Sequence, residues 1–347
     1  MDAGICVEYG AGLSADFRAG SYPSSDAGPR VRETVNVVKI EWEVPLPAPA
    51  KLNLFLHVVG RRVDGYHLLQ TVFRLIDRMD MLRFSPRGDR EVRLAQPLPG
   101  VPEAQDLVVR AARLLQGEIA NAPGVTIHIE KRLPIGGGLG GGSSDAATTL
   151  LALNTLWGLG LSVDRLATLG LQLGADVPVF VRGRSAFAEG VGEALVAVTL
   201  PPRWYVVLVP QVPVPTGEIF ADPTLTRDTE QTTIAAFFAE QKSTEDCAKT
   251  AQSAESRSIG KPSEILSACS LFGQNDLEAV VRRRYPEVER HLRWLAQFGP
   301  ARMSGSGCCV FAEFASVAAA EAVLARRPEN MGGFVARGLD CHPLWGG

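Results

Sequence analysis

The sequence predicts a two-domain α+β protein, and three observations carry the prediction. Its 347 residues exceed an ordinary single domain. Strand-like and helix-like runs alternate between Glu43 and Leu200, after which Pro201-Pro202 marks a linker. A second set of such runs, beginning at Trp204, follows the linker. The expected organisation is therefore an extension over 1–42, a first domain over 43–200, and a second over 203–347 with a polar insert near 240–263.

The elements follow in chain order. Residues 1–42 mix Gly, Ser, Ala and Asp, lack the apolar core of a signal peptide, and carry five acids against four bases through Ile40. They read as a disordered extension, or as translation from an upstream start. Strands are expected over Leu52 to Val59, Val72 to Leu75, Val125 to Glu130 and Val179 to Phe187, and helices over Leu107 to Leu115, Asp145 to Trp157 and Val163 to Leu173. Beyond the linker, Trp204 to Val209 reads as a strand and Pro210 to Pro215 as a stiff connector. Glu240 to Ser263 is polar and aperiodic, as a flexible surface insert is. Helices are expected around Asp276 to Val281, Val288 to Gln297 and Val317 to Arg326.

Composition narrows the function classes without choosing one. With 46% hydrophobic and 21% charged residues, the chain has the make-up of a globular protein with a sizeable core. No segment reaches the ~18 uninterrupted apolar residues of a membrane span. A net charge of −3 and a pI near 6.0 argue against a general nucleic-acid surface, so an anionic substrate would need a local cationic patch. Six cysteines (Cys6, Cys247, Cys269, Cys308, Cys309, Cys341) show no C-x-x-C spacing, which suits reduced thiols in a cytoplasmic protein.

The densest signal is Pro134-Ile135-Gly136-Gly137-Gly138-Leu139-Gly140-Gly141-Gly142-Ser143-Ser144, in which six of the seven residues from Gly136 to Gly142 are glycine. Backbone this bare can approach a ligand closely. It joins a strand to a helix, where unpartnered N–H groups and the helix dipole favour an anion, and Ser143, Ser144 and Asp145 offer cap-type side chains. That is a design for phosphate. A P-loop is excluded because no Lys precedes Ser143. A dinucleotide fingerprint fits literally at Gly136, Gly138 and Gly141 with Asp164 downstream, but Asp164 sits at a helix start and the pattern alone is a weak signal.

Other segments give the loop a context. They are Pro47 to Leu56 with Lys51 and Asn53, Asp64-Gly65-Tyr66-His67, Gly174-Ala175-Asp176-Val177-Pro178-Val179-Phe180, and Ser304-Gly305-Ser306-Gly307-Cys308. In this order, from about Glu43 to Leu344, the chain closely resembles the GHMP kinase superfamily. The resemblance implies a ribosomal-protein-S5-like first domain, a ferredoxin-like second one, and an active site in the cleft between them. It also implies ATP and Mg²⁺ as cofactors, with the loop Pro134 to Ser144 cradling the triphosphate and Ser143 or Ser144 on the magnesium side. Asp176 would be the general base and Lys51 its charged partner. Tyr66, His67, Asn53 and Phe220 would hold the cytidine end of a small-molecule substrate, a cytidine diphosphate conjugate of methylerythritol.

Residue chemistry agrees with these roles. A carboxylate before the mostly apolar run Val177 to Phe180 is poorly placed for mere solubility, and a neighbouring cation keeps it ionised and aimed. Tyr66 and His67 follow a hairpin-type turn that lifts both rings from the preceding strand, and an aromatic ring beside an imidazole suits a nucleobase. Phe220 reads equally as a core aromatic. One departure is Asp106, where the family often has Asn contacting adenine; an ionised Asp cannot donate, which puts that contact in doubt. Another GHMP kinase, acting on homoserine, mevalonate or a sugar, and a non-catalytic binding protein on the same scaffold are the competing readings.

Overall fold

The computed structural model describes residues 39–98, 100–119, 121–241 and 272–345. The expected extension up to residue 38 and the expected insert from residue 242 onward lie outside the described residues. Packing begins inside the span assigned to the extension: Ile40 is buried in the first core and Trp42 packs against it. A chain beginning at Glu43 is therefore expected to be less stable than one beginning at Lys39 by about 2–3 kcal/mol, the burial of one aliphatic and half an indole. Urea unfolding of the two truncations measures the difference.

A long antiparallel pair forms the spine. β1 (Leu46–Arg61) and β2 (His67–Arg87) run against each other for almost their whole length. Both exceed the expected strands, because Ala48, Ala50, Leu82 and Phe84 extend the buried run beyond the segments whose alternation is visible in sequence. β2 also pairs with β4 (Gly124–Glu130) at one end, with β5 (Ala186–Glu189) at Thr71 to Phe73, and with β10 (Gly332–Leu339) at Leu75 and Ile76. Through β10 the sheet continues into β7 (Trp204–Val209), β9 (Val310–Phe314) and β8 (Ala301–Met303), while β3 (Val92–Leu94) and β6 (Ala194–Ala197) lie at edges. The result is one ten-stranded sheet shared by both halves of the chain.

Helices cover that sheet in two groups. Over the first half lie α1 (Leu107–Gln116), α2 (Gly141–Leu156), α3 (Val163–Leu171) and α4 (Val177–Arg182), around a core that includes Leu75, Phe84, Val109, Leu150 and Phe180. Over the second lie α5 (Thr216–Ala221), α6 (Glu278–Arg284), α7 (Pro286–Leu295) and α8 (Val317–Leu324), packed on Val206, Leu208, Val281, Leu292 and Val310. A third cluster, with Leu52, Phe55, Phe187, Val207 and Phe311, joins strands of both halves. No helix of the described residues is long and apolar enough to cross a membrane.

Two expected elements are corrected. Residues 177–182 are helical where a strand over Val179 to Phe187 was expected; Pro178 sits in the first turn and Gly183, at φ 67°, stops the helix before β5. A short apolar run does not by itself distinguish a buried strand from a buried helix. The second correction concerns α2, which starts at Gly141 rather than Asp145, with Gly140 as its N-cap at φ 72°. Ser143, Ser144 and Asp145 are thus inside the first turns and do not cap.

The end of the chain returns to the first half, although the span 203–347 assigns it to the second. Leu344 is buried in the first core and Leu339 and Trp345 pack against it. Arg74 Nη1 lies 2.5 Å from Asp340 Oδ1, and its Nη2 donates to Pro201 O across 3.2 Å, so one buried guanidinium ties spine, linker and tail together. His342 completes the dock: its N–H donates to Gly183 O at 2.7 Å, and its Nδ1 accepts from Leu344 N at 3.1 Å. Burial lowers the imidazole pKa to about 3. Because the folded pKa lies below the unfolded one, stability is fully present above about pH 6.5 and declines as pH falls from there toward about 3. His342→Asn keeps an acceptor for Leu344 N without the proton affinity. It is expected to gain on the wild type by about 2 kcal/mol at pH 5, relative to their difference at pH 8, as thermal unfolding at the two pH values would record.

Candidate active site

Lys51 stands on β1 at the centre of the molecule with its side chain 3% exposed. Its Nζ lies 3.2 Å from Asp176 Oδ2, donates to Asn53 Oδ1 at 2.5 Å, and sits 5.3 Å from the centroid of the Phe73 ring. A buried ammonium needs such partners. Asp176 occupies the N-cap position of α4 without capping it, and its side chain is 35% exposed. Its carboxylate therefore has a cation on one face and open solvent on the other. The helix start adds positive potential at the same point.

The glycine loop is bonded to both neighbours of this pair. Lys51 N donates to Leu139 O at 2.9 Å, Ser304 Oγ donates to Gly138 O at 3.1 Å, and Cys309 N donates to Gly137 O at 3.1 Å. The two glycine-rich segments, far apart in sequence, are thus laced together. Asn53 N in turn donates to Ser304 Oγ at 3.2 Å, and Asn275 Nδ2 donates at 2.8 Å to both Met303 O and Gly305 O. Asn275 holds the second loop in shape, a role no sequence motif announced.

At the helix end of the loop, Ser144 N makes the first bond of α2, to Gly140 O at 2.8 Å. Gly141, Gly142 and Ser143 keep N–H groups with no intrahelical acceptor, which is the array a phosphate group takes up. The two serines differ in access. Ser144 is fully buried and its Oγ has no partner, whereas Ser143 is half-buried with its Oγ near Gly174, two residues before Asp176. A hard cation takes oxygen ligands and water, so Ser143 fits the magnesium side and the sealed Ser144 does not.

Beneath the loop lies a charged group that the sequence reading missed. Lys131 bridges Asp80 and Asp145, the latter at 2.8 Å, and Asp80 Oδ1 accepts the N–H groups of Arg132 and Leu133 at 2.5 and 2.8 Å. Entry to the loop and the start of α2 are thereby fixed to one strand. Asp145 is almost fully buried, and that burial raises its carboxyl to about 7 despite Lys131. Three charges scattered over 66 residues leave no local pattern to read.

The base-recognition candidates separate into two places. Asn53 belongs with Lys51: its carbonyl oxygen accepts from Nζ and its amide donates to Thr71 Oγ1 at 3.0 Å. Tyr66, His67 and Phe220 form the other group. Gly65, at φ 92°, and the Asp64 carboxylate, which accepts from Tyr66 N at 3.2 Å, shape the turn; Tyr66 is 48% exposed and His67 begins β2. The His67 and Phe220 rings lie 5.0 Å apart at 32°, while Phe220 also packs against the second core. Phe220 is both wall and core residue. α5, which carries it, is linked to the second glycine loop by Thr216 Oγ1 and Ser306 Oγ at 2.7 Å. Asp106 is buried and caps α1, accepting from Val108 N at 2.8 Å.

Comparison with known proteins gives the family. A family model described as GHMP kinases N terminal domain matches residues 106–184, and one described as GHMP kinases C terminal matches residues 251–332. The chain belongs to the GHMP kinases and has their two-domain fold. Its relatives mark the branch. A Thiobacillus denitrificans protein named 4-diphosphocytidyl-2-C-methyl-D-erythritol kinase is 58% identical, covering 86% of this chain and 96% of its own length. One of the same name from Nitrosospira multiformis is 54% identical, over 88% and 95%. The crystal structure of a 4-(cytidine 5'-diphospho)-2C-methyl-D-erythritol kinase superposes with a TM-score of 0.66 at 32% identity, covering 85% of this chain and 99% of that one.

Proposed function

We infer that the protein is an ATP-dependent kinase that phosphorylates the 2-hydroxyl of 4-diphosphocytidyl-2-C-methyl-D-erythritol, in non-mevalonate isoprenoid precursor biosynthesis. The observation that carries the chemistry is the Lys51–Asp176 pair, 3.2 Å apart and directly beside the glycine loop. Asp176 takes the proton of the acceptor hydroxyl as its oxygen attacks the terminal phosphorus of ATP; the new O–P bond forms, the bond to the bridging oxygen breaks, and ADP leaves. Lys51 orients the carboxylate and steadies negative charge on the attacking oxygen. The N–H groups at the start of α2 and the backbone of the glycine loop hold the triphosphate.

Mg²⁺ fits beside Ser143, which is half-buried where Ser144 is fully buried, and it would neutralise charge on the phosphate oxygens. Tyr66, His67 and Phe220 supply stacking surface and a hydrogen-bonding imidazole for the cytosine end, while Asn53 acts through Lys51. A buried cap is a poor adenine contact, so Asp106 is given no ligand role. A cytoplasmic location suits the free thiols of Cys308, Cys309 and Cys341.

The test is direct: incubate the protein with ATP, Mg²⁺ and a panel of acceptors, and follow ADP release. Turnover with the cytidylylated acceptor, and none with homoserine, mevalonate or sugars, is the expected result. Preference for one of those others would move the chain to another GHMP activity, and no turnover at all would leave a binding protein.

A further inference from the structure

The loop after α5 contains a guanidinium that reaches two members of the base-recognition group, His67 and Phe220. Arg227 Nη2 donates to Phe220 O at 2.9 Å and Asp222 O at 2.8 Å, and its Nη1 donates to Leu225 O at 3.0 Å. Its Nε donates to His67 Nε2 at 3.1 Å. A guanidinium has no acceptor atom and does not lose its proton in proteins. The hydrogen bond therefore requires a lone pair on Nε2, and a neutral imidazole with that lone pair carries its proton on Nδ1.

We propose that Arg227 is a positioning residue for base recognition, fixing His67 as the Nδ1-protonated tautomer and tying its ring to Phe220. The imidazole then offers a donor, and an acceptor atom on the edge of a base is its complement. The same contact opposes protonation of the ring. His67 is part-buried, Arg227 stands against it from the loop, and Arg61 lies directly opposite on β1, and burial followed by these two cations lowers its pKa. The tautomer thus comes from one side chain, which adds to burial in keeping the ring neutral and also holds Phe220 and Asp222 by their carbonyls. A lysine could hold His67 or those carbonyls, but has no planar fork to hold them all.

The role in base recognition rests on the reading of a cytidylylated substrate, while the tautomer is measurable without any substrate. The experiment uses full-length protein with ¹⁵N-labelled histidine, the His67 signals being assigned by their loss in His67→Gln. The wild type is expected to show Nδ1 protonated and Nε2 bare, titrating below the ordinary histidine range. Arg227→Met should mix the tautomers and move the titration upward. It should raise KM for the cytidylylated acceptor about tenfold or more, with KM for ATP and kcat within about threefold. Arg227→Lys is expected to fall between, and decides the matter with the wild-type spectrum should the Met variant not fold. An Nε2-protonated ring in the wild type, an unchanged tautomer in the variants, or equal rises in both KM values would overturn the proposal. Refusal of the cytidylylated acceptor with the expected spectrum would remove the substrate reading and leave the tautomer assignment standing.

Discussion

Asp176→Asn is expected to lower turnover by about 10²–10⁴-fold while ATP binds nearly as before, since the change preserves shape and removes the basic oxygen. The structure gives Asp176 no capping duty, and its ionic partner is Lys51. Lys51→Met should also be severe, for two reasons. It removes the cation beside the reacting oxygens, and it leaves the buried Asn53 Oδ1 without its donor. If carboxylate and ammonium act as one unit, the double variant should be far less impaired than the product of the single losses, because either change alone disables the shared function. Single-turnover rates with saturating ATP separate chemistry from binding. Near-normal turnover in Asp176→Asn would remove the general base and leave positioning and electrostatics to account for catalysis. Losses that multiply fully would instead mean that the two residues act independently.

What the sequence revealed about this site depended on how locally each piece is encoded. The glycine loop is contiguous, and its chemistry follows from backbone alone, so its position and purpose were legible before any fold was known. Lys51 and Asp176 could be placed because each sits in a short motif of its own. That they meet within 3.2 Å follows from the fold, which brings the residue before α4 within reach of a side chain on β1. Residues that act through others left no such mark. Lys131, Asp80 and Asn275 support the loops from outside the glycine motifs, and a lone charge or amide in sequence is more often a solvated surface group. Arg227 lies in a polar stretch, Leu225 to Thr229, without periodicity. Its role emerges only when Phe220 and His67 are brought to the same place.

The fold itself was legible in class but not in closure. Period and punctuation gave helices and strands, and placed α1, α3, β4 and β7 to within a residue or two. They could not show that the sheet would run through both halves, because β10 reaches β2 with only two paired residues. Nor could they show why the last residues return to the first half. That docking depends on Arg74, Asp340, His342 and Trp345, whose partners lie on other segments. The helix at Val177 to Arg182 was misread for a related reason: buried on most sides, it lacks the polar face from which a helical period is recognised.

Gly138→Ala is expected to be the most damaging change within the glycine loop. Gly138 has φ 76°, and a Cβ there would stand 2.2 Å from Ser304 O and 3.0 Å from Gly307 O. Both obstacles are backbone, so relief requires the two glycine-rich segments to separate. Separation would break Ser304 Oγ to Gly138 O and strain Cys309 N to Gly137 O, and it would move Leu139 away from Lys51 N. A misplacement of about 1 Å at this distance from the chemistry can cost roughly 100-fold in rate. Left-handed strain adds about 1–2 kcal/mol of lost stability. Gly136→Ala is the matched control: its φ is 71°, but a Cβ there meets nothing within 4 Å, so it incurs the backbone strain alone. The two variants should therefore lose similar stability from strain, while Gly138→Ala loses further stability and most of its kcat/KM for ATP. Thermal unfolding and ATP kinetics on the pair measure both terms. If Gly138→Ala were as mild as Gly136→Ala, contact between the two loops would not be needed to hold the triphosphate, and the first loop with the start of α2 would have to suffice.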